Sequence, residues 1–139
     1  MSDIVCSIAA GEADAEVVLR NDHVIAFLDH RPVFKGHVLV CPLPHAATLP
    51  DLPAAALGPF FAEVQRVASA LPVALGCSGT FVALNNVVSQ SIPHLHVHVV
   101  PRTKGDGLRG FFWPRVKYAE GELAAYGTLI REALEAACA

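Results

Sequence analysis

From Pro93 to Pro101 the chain reads Pro93-His94-Leu95-His96-Val97-His98-Val99-Val100-Pro101, an imidazole at every second position with an aliphatic residue between. That period belongs to a β-strand, in which successive side chains point to opposite faces. Leu95, Val97 and Val99 then form a face fit for burial, while His94, His96 and His98 form a ladder on the other, with neighbours ~7 Å apart. Each buried imidazole nitrogen needs a partner, so three in a row serve packing badly and point to chemistry.

The 139 residues are expected to form one domain, 1–139. At 53% hydrophobic and 17% charged the chain is too apolar for disorder and has enough apolar matter for one core. Ten Lys+Arg against thirteen Asp+Glu leave a net charge of −3, which offers neither nucleic acid nor an anionic membrane a reason to bind. A small-molecule partner is expected instead. The apolar stretches at 52–61 and 68–76 are broken by Pro53, Pro59 and Pro72 and fall short of the ~20 residues that cross a bilayer. Met1-Ser2-Asp3 shows no basic region ahead of an apolar run, so the expected location is cytoplasmic. Cys6, Cys41, Cys77 and Cys138 lie far apart and are expected to be reduced thiols, Cys41, Cys77 and Cys138 as small apolar fillers or exposed thiols.

Periodicity places the other elements. Asp3 is a plausible N-cap for a short helix over 4–10 that Gly11 stops. Strands are expected at 16–20 and 23–28, joined as a hairpin through Asn21-Asp22, then at 36–41, 80–85 and 94–101. Leu57, Phe60, Phe61, Val64, Val67 and Leu71 recur at helical spacing and predict an amphipathic helix over about 52–71, with Pro59 placed to kink it or delay its start. A second main helix over 121–139 carries Leu123, Tyr126, Leu129, Ile130 and Leu134 on its apolar side. The sum is an α+β fold, a five-stranded antiparallel meander sheet with two main helices on one face.

The residues alone leave two chemistries open. Three imidazoles on one strand can hold a metal that keeps an open position for water. Alternatively one imidazole attacks an electrophile while its neighbours bind and protonate, with Asn85, Gln90 and Ser91 as donors to phosphoryl oxygens and His37 as orienting or relay residue. His23 and His30, near the hairpin, read as surface residues.

The sequence His94-Leu95-His96-Val97-His98-Val99-Val100 resembles the signature of the histidine triad (HIT) hydrolases and transferases of nucleotides. Ile8-Ala9-Ala10-Gly11-Glu12, Ala26-Phe27-Leu28-Asp29 with Pro32, Gly36-His37-Val38-Leu39-Val40-Cys41-Pro42, Leu84-Asn85-Asn86 and Gln90-Ser91 also resemble that family's segments, in its order. The resemblance implies a HIT-like fold, in a homodimer whose sheets join. It further implies that His96 attacks the α-phosphorus of a purine nucleotide ester, anhydride or phosphoramidate and becomes a nucleotidyl-histidine. His94 and His98 complete the triad, His37 stands in the outer proton relay, and Asp29, Asn85, Gln90, Ser91, His98 and Trp113 are placed at the nucleotide. For Asp29 the plain alternative is a turn cap before His30-Arg31-Pro32, and for Asn85 a strand end.

The same resemblance raises a structural zinc. Many bacterial members carry Cys-x-x-Cys near the N-terminus, and here Asp3-Ile4-Val5-Cys6 stands in its place; Cys6, His45 and His94 are the implied ligands, with Asp3, whose carboxylate oxygen is acceptable, or water as the fourth. Two departures stand out. The loop Asn86-Val87-Val88-Ser89-Gln90 lacks the family's glycines, and β-branched residues resist positive φ, so another path is expected there. Beyond the triad strand, the segment from Lys104 to Arg115 is basic and aromatic, fit for a lid or pocket wall through Arg109, Arg115 and Trp113, or for covering the sheet edge with Phe111 and Phe112. Against the nucleotidyl-histidine enzyme stand two rivals: a hydrolase using the triad as metal ligands, and a nucleotide-binding adaptor whose hydrolysis is vestigial.

Overall fold

Five strands, β1 (Val17–Arg20), β2 (Val24–Leu28), β3 (Val38–Pro42), β4 (Gly79–Ala83) and β5 (Val97–Arg102), pair into one antiparallel sheet in the computed structural model. It describes residues 3–108 and 115–137, so Arg109, Phe111, Phe112, Trp113 and Cys138 lie outside the described residues. The strand order is β1-β2-β3-β5-β4. The first three strands form the expected meander; the chain then crosses through a helix to the far edge, and β5 returns between β3 and β4.

Each face of the sheet has its own cover. Val24, Ala26, Val38, Val40, Val97 and Val99 cluster with Phe60, Val64, Val67 and Leu71 of helix α2 (Ala54–Leu75). Ile25, Phe27, Leu39 and Cys41, the alternate residues of β2 and β3, cluster with Val5 and Ile8 of the short helix α1 (Ile4–Ala9). The two helices of this part therefore lie on opposite faces: β2 and β3 are apolar on both sides and need two covers. Asp3 caps α1 as expected, its Oδ1 accepting the Cys6 N–H at 2.8 Å.

Helix α2 runs continuously past Pro59 and Pro72 and starts later than expected, because Leu49–Asp51 forms a 3-10 turn with a Thr48–Asp51 capping box and Leu52 closes it. Its end at Gly76 is left-handed, φ 71°. Gly36 also needs its residue type: φ is +100°, and a Cβ there would collide with Leu75 Cδ1.

Contacts divide the chain into two compact units, 1–106 and 107–139. In the second, helix α3 (Glu122–Ala137) begins one residue after the expected start. Its apolar side, Leu123, Tyr126, Leu129, Ile130 and Leu134, is exposed. Among the described residues no helix is long and apolar enough to cross a membrane.

Candidate functional site

The triad divides at Val97, where β5 begins, three residues later than the alternation predicts. Pro93 and a bend at His94 keep the preceding residues out of the ladder, and Leu95 N–H bonds to the Ala46 carbonyl at 2.7 Å instead. His94 turns away from its two neighbours. Its Nε2 donates to the Pro42 carbonyl at 2.7 Å, and its Nδ1 faces Asp3 Oδ2 at 3.2 Å and His45 Nδ1 at 3.1 Å. The side chain is 1% exposed and does not line the cavity beside His96 and His98, which corrects the picture of one continuous ladder.

His96 and His98 stay together, their ring centroids 5.0 Å apart. His96 Nδ1 lies 2.8 Å from the His94 carbonyl, which can only accept, so in the neutral ring Nδ1 carries the proton and Nε2 the lone pair. His98, paired with Leu39 across the β3–β5 ladder, is 2.9 Å from His37 Nε2 through its own Nδ1. His37 Nδ1 accepts the Val33 backbone N–H at 3.1 Å. Burial pushes His98 down to about 4, with the charges of His96 and His37 adding to the effect and Asp29 opposing it. Burial also lowers His37, opposed by Asp29. Both rings are therefore neutral near pH 7.

His96 and His98 border a cavity of about 870 Å³. His96, His98, Ser91, Asp14, Glu16, Asp29, His30 and Arg31 supply its polar lining, and Ile4, Ile8, Phe27, Leu39 and Ile92 an apolar wall. Asp29 makes the turn cap that was its plain alternative, Oδ1 accepting the Arg31 N–H at 2.9 Å, while Oδ2 lies 3.8 Å from His37 Nδ1. His23 and His30 are exposed as expected, His30 on the cavity rim. Burial raises the Cys41 thiol far above its usual range, which makes it an inert filler, with the Asp3 charge adding to the rise.

Asn85 and Gln90 do not line the cavity. Asn85 Nδ2 donates to the Ser89 carbonyl, while Gln90 accepts the Val87 N–H and donates to the Ala47 carbonyl. They brace the loop instead. Val87 and Ser89 take φ of 70° and 62°, so the loop follows the left-handed path that its β-branched residue was expected to avoid. The bonds from Gln90 and Asn85 hold that conformation. The apolar wall and the Val33 amide were missed in the sequence; doubly apolar β2 and β3 hint at the wall, whereas a backbone donor leaves no mark in residue type.

Asp3, Cys6, His45 and His94 bring their ligand atoms within 4.8 Å of one another. Asp3 Oδ2, His45 Nδ1 and His94 Nδ1 form a triangle with edges of 3.1, 3.1 and 3.2 Å. A tetrahedral ion with bonds of ~2.0–2.1 Å demands edges of ~3.3–3.4 Å. Cys6 Sγ sits 3.9 Å from His94 Nδ1 as the fourth corner. Because the His94 proton is spent on Pro42, a bare Nδ1 looks at a carboxylate, an arrangement that wants a cation between them. Burial raises Asp3, but the Cys6 N–H and its further contacts with Cys6 and His94 outweigh it and hold the carboxyl below its usual value. The donor set fits zinc. No described cluster joins His94, His96 and His98 as ligands of one ion.

The HIT domain family matches residues 10–105. The chain is 40% identical over 106 residues to an uncharacterized HIT-like protein of Methanocaldococcus jannaschii, covering 75% of this chain and 81% of that one. It is 30% identical over 129 residues to the adenosine 5'-monophosphoramidase of Schizosaccharomyces pombe, covering 91% and 94%. Among solved structures it is similar to a zinc-bound histidine triad family protein of Mycobacterium smegmatis, at 36% identity and a TM-score of 0.73 over 78% of this chain and 81% of that one. With the HxHxH segment, the five-stranded antiparallel sheet and a family match spanning most of its length, this chain belongs to the HIT family.

Proposed function

We propose that this chain is a nucleotide hydrolase or nucleotidyltransferase working through a covalent nucleotidyl-histidine. The reading is carried by one observation: His96 Nδ1 is committed to a carbonyl, so its unprotonated Nε2 is left beside a neutral His98 in a nucleotide-sized cavity. His96 Nε2 forms a bond to the α-phosphorus as the bond to the leaving group breaks, and water or another acceptor then displaces His96. His98 and Ser91 bind the phosphoryl oxygens, each well-placed donor being worth ~2.7–4 kcal/mol in the transition state. Ile4, Ile8, Phe27, Leu39 and Ile92 take the purine, and Asp29 accepts from the ribose hydroxyls. The activity of the fission-yeast relative supports an adenine nucleotide as substrate.

Asp3, Cys6, His45 and His94 would hold the zinc. When bound, the ion is structural, tying α1 to the segments at His45 and His94, and the displacement at His96 is made by the chain's own groups. The protein works in the cytoplasm as a homodimer built from single-domain subunits, the exposed apolar side of α3 supporting self-association.

The test is intact-protein mass spectrometry after acid quench, with an adenosine phosphoramidate, a dinucleoside polyphosphate and ADP as parallel donors. An AMP-sized adduct on the native chain, absent from His96→Gly, is the expected result. Turnover without an adduct that disappears on chelation would favour the metal-hydrolase rival, and AMP binding without turnover the adaptor.

A further inference from the structure

Helix α1 forms one wall of the cavity beside His96, and it is held in place by few contacts. Ile4 and Ile8 line that cavity, while Val5 and Ile8 pack against Ile25, Phe27, Leu39 and Cys41. Its six residues are far fewer than the ~12–15 that an isolated helix needs, so α1 depends on its anchors. The backbone hydrogen bonds around it include local ones from Ser7 N–H to the Asp3 carbonyl, Ala10 N–H to the Cys6 carbonyl and Glu12 N–H to the Ser7 carbonyl. The Asp3 carboxylate reaches further, because its two oxygens do different things. Oδ1 takes the Cys6 N–H at 2.8 Å and closes the start of the helix, while Oδ2 meets His45 Nδ1 at 3.1 Å and His94 Nδ1 at 3.2 Å. The Asp3 side chain is 3% exposed, so one buried carboxylate serves both the helix start and the ligand cluster.

We propose that a zinc ion held by Asp3, Cys6, His45 and His94 sets the nucleotide affinity of the cavity by pinning α1, so that metal and nucleotide binding reinforce each other. The inference rests on the proposed function and adds a regulation to it. Asp3 and Cys6 belong to the start of α1, whereas His45 and His94 belong to the segments that follow β3 and precede β5. Bridging the two pairs fixes Ile4 and Ile8 in the apolar wall, and an incoming purine then need not order them. The other contacts of the His94 segment do not involve the ligand cluster. His94 Nε2 donates to the Pro42 carbonyl at 2.7 Å and Leu95 N–H to the Ala46 carbonyl at 2.7 Å. They hold in place the His94 carbonyl that receives the His96 Nδ1 proton. The coupling therefore falls on binding and leaves the displacement at His96 alone. It also depends on the residue type at position 3, since a cysteine there supplies a ligand but a poor cap, its sulfur being a weak acceptor.

Calorimetric titration of AMP into the full chain, once zinc-loaded and once chelated, tests the coupling. The zinc-loaded protein is expected to bind AMP ~5–150-fold more tightly, and saturating AMP to raise the zinc affinity by the same factor, as linkage requires. Equal AMP affinity in the two states would overturn the proposal. Amide hydrogen exchange locates the effect: zinc is expected to slow residues 6–10 far more than residues 64–71 of α2. Equal slowing in both helices would indicate general stabilisation and count against pinning. Asp3→Asn keeps a good cap but loses the charged ligand, and is expected to weaken zinc binding while chelated α1 exchanges as in the native chain. Asp3→Cys does the reverse, binding zinc but exchanging α1 faster when chelated. With donor at saturation, the His96 adduct is expected to form equally fast with and without zinc; a change in that rate at unchanged AMP affinity would sink the proposal. If AMP binds in neither state, the proposed function is at fault, and exchange in α1 still decides whether the ion pins the wall.

Discussion

His37 and His98 each have a native pKa below the ordinary histidine value, and that difference ties stability to pH. Between about pH 6.5 and about pH 4 the unfolded chain binds protons that the folded rings refuse, so stability rises with pH across that window. Stability is fully present above pH 6.5 and is lost as the pH falls toward 4. Urea unfolding at pH 7.5, 6 and 5 is expected to show falling midpoints, with a shallower fall in His98→Asn. At Gly36 the positive φ strains any residue with a Cβ, and the half-exposed Leu75 side chain would have to shift to admit one. Gly36→Ala is expected to cost ~1–3 kcal/mol by chemical denaturation and, being next to His37, to slow adduct formation as well.

Among the elements, α2 holds one face of the sheet through a few fully buried side chains. Phe60 is 1% exposed and sits among β-sheet valines, so Phe60→Ala is expected to lose ~3–5 kcal/mol in urea unfolding. The loop 86–90 makes the opposite prediction. Val87 is 76% exposed at φ 70°, so it stores backbone strain and buries little. Val87→Gly relieves ~1–2 kcal/mol of left-handed cost and adds some unfolded-state entropy. A net gain of ~0.5–1 kcal/mol in the same assay is expected.

For the whole molecule, Asp3, Cys6, His45 and His94 draw together the chain's start, the segment after β3 and the approach to β5. An ion bound there stabilises the fold as far as it favours the native state. Chelation is expected to lower Tm, and added zinc to restore it, while an acid-quenched chelated sample still forms the His96 adduct.

Much of this was legible in sequence. Period-two alternation marked β5 because its aliphatic face must be buried, β-rich runs bounded by turn residues marked the other strands, and the Asp3 cap and α2 stripe followed from equally local rules. Element ends moved by one to four residues where a proline, a 3-10 turn or a bend intervened, as at Pro93 and Leu52. The candidate residues His96, His98, Asp29 and Ser91 stood in the sequence by type and order, and so did the four ligands of the proposed zinc.

Tertiary structure decided how those residues divide the work. Alternation puts three histidines on one side of a strand, but it does not say that the strand begins only at Val97, which frees His94 to turn toward Asp3 and His45. Nor does residue type reveal that carbonyls of Pro42 and His94 and the amide of Val33 assign the ring protons. Side-chain identity and period are properties of neighbours in the chain, and sequence alone determines them. Which backbone group meets which imidazole nitrogen depends on contacts between distant segments, and only the folded chain sets those.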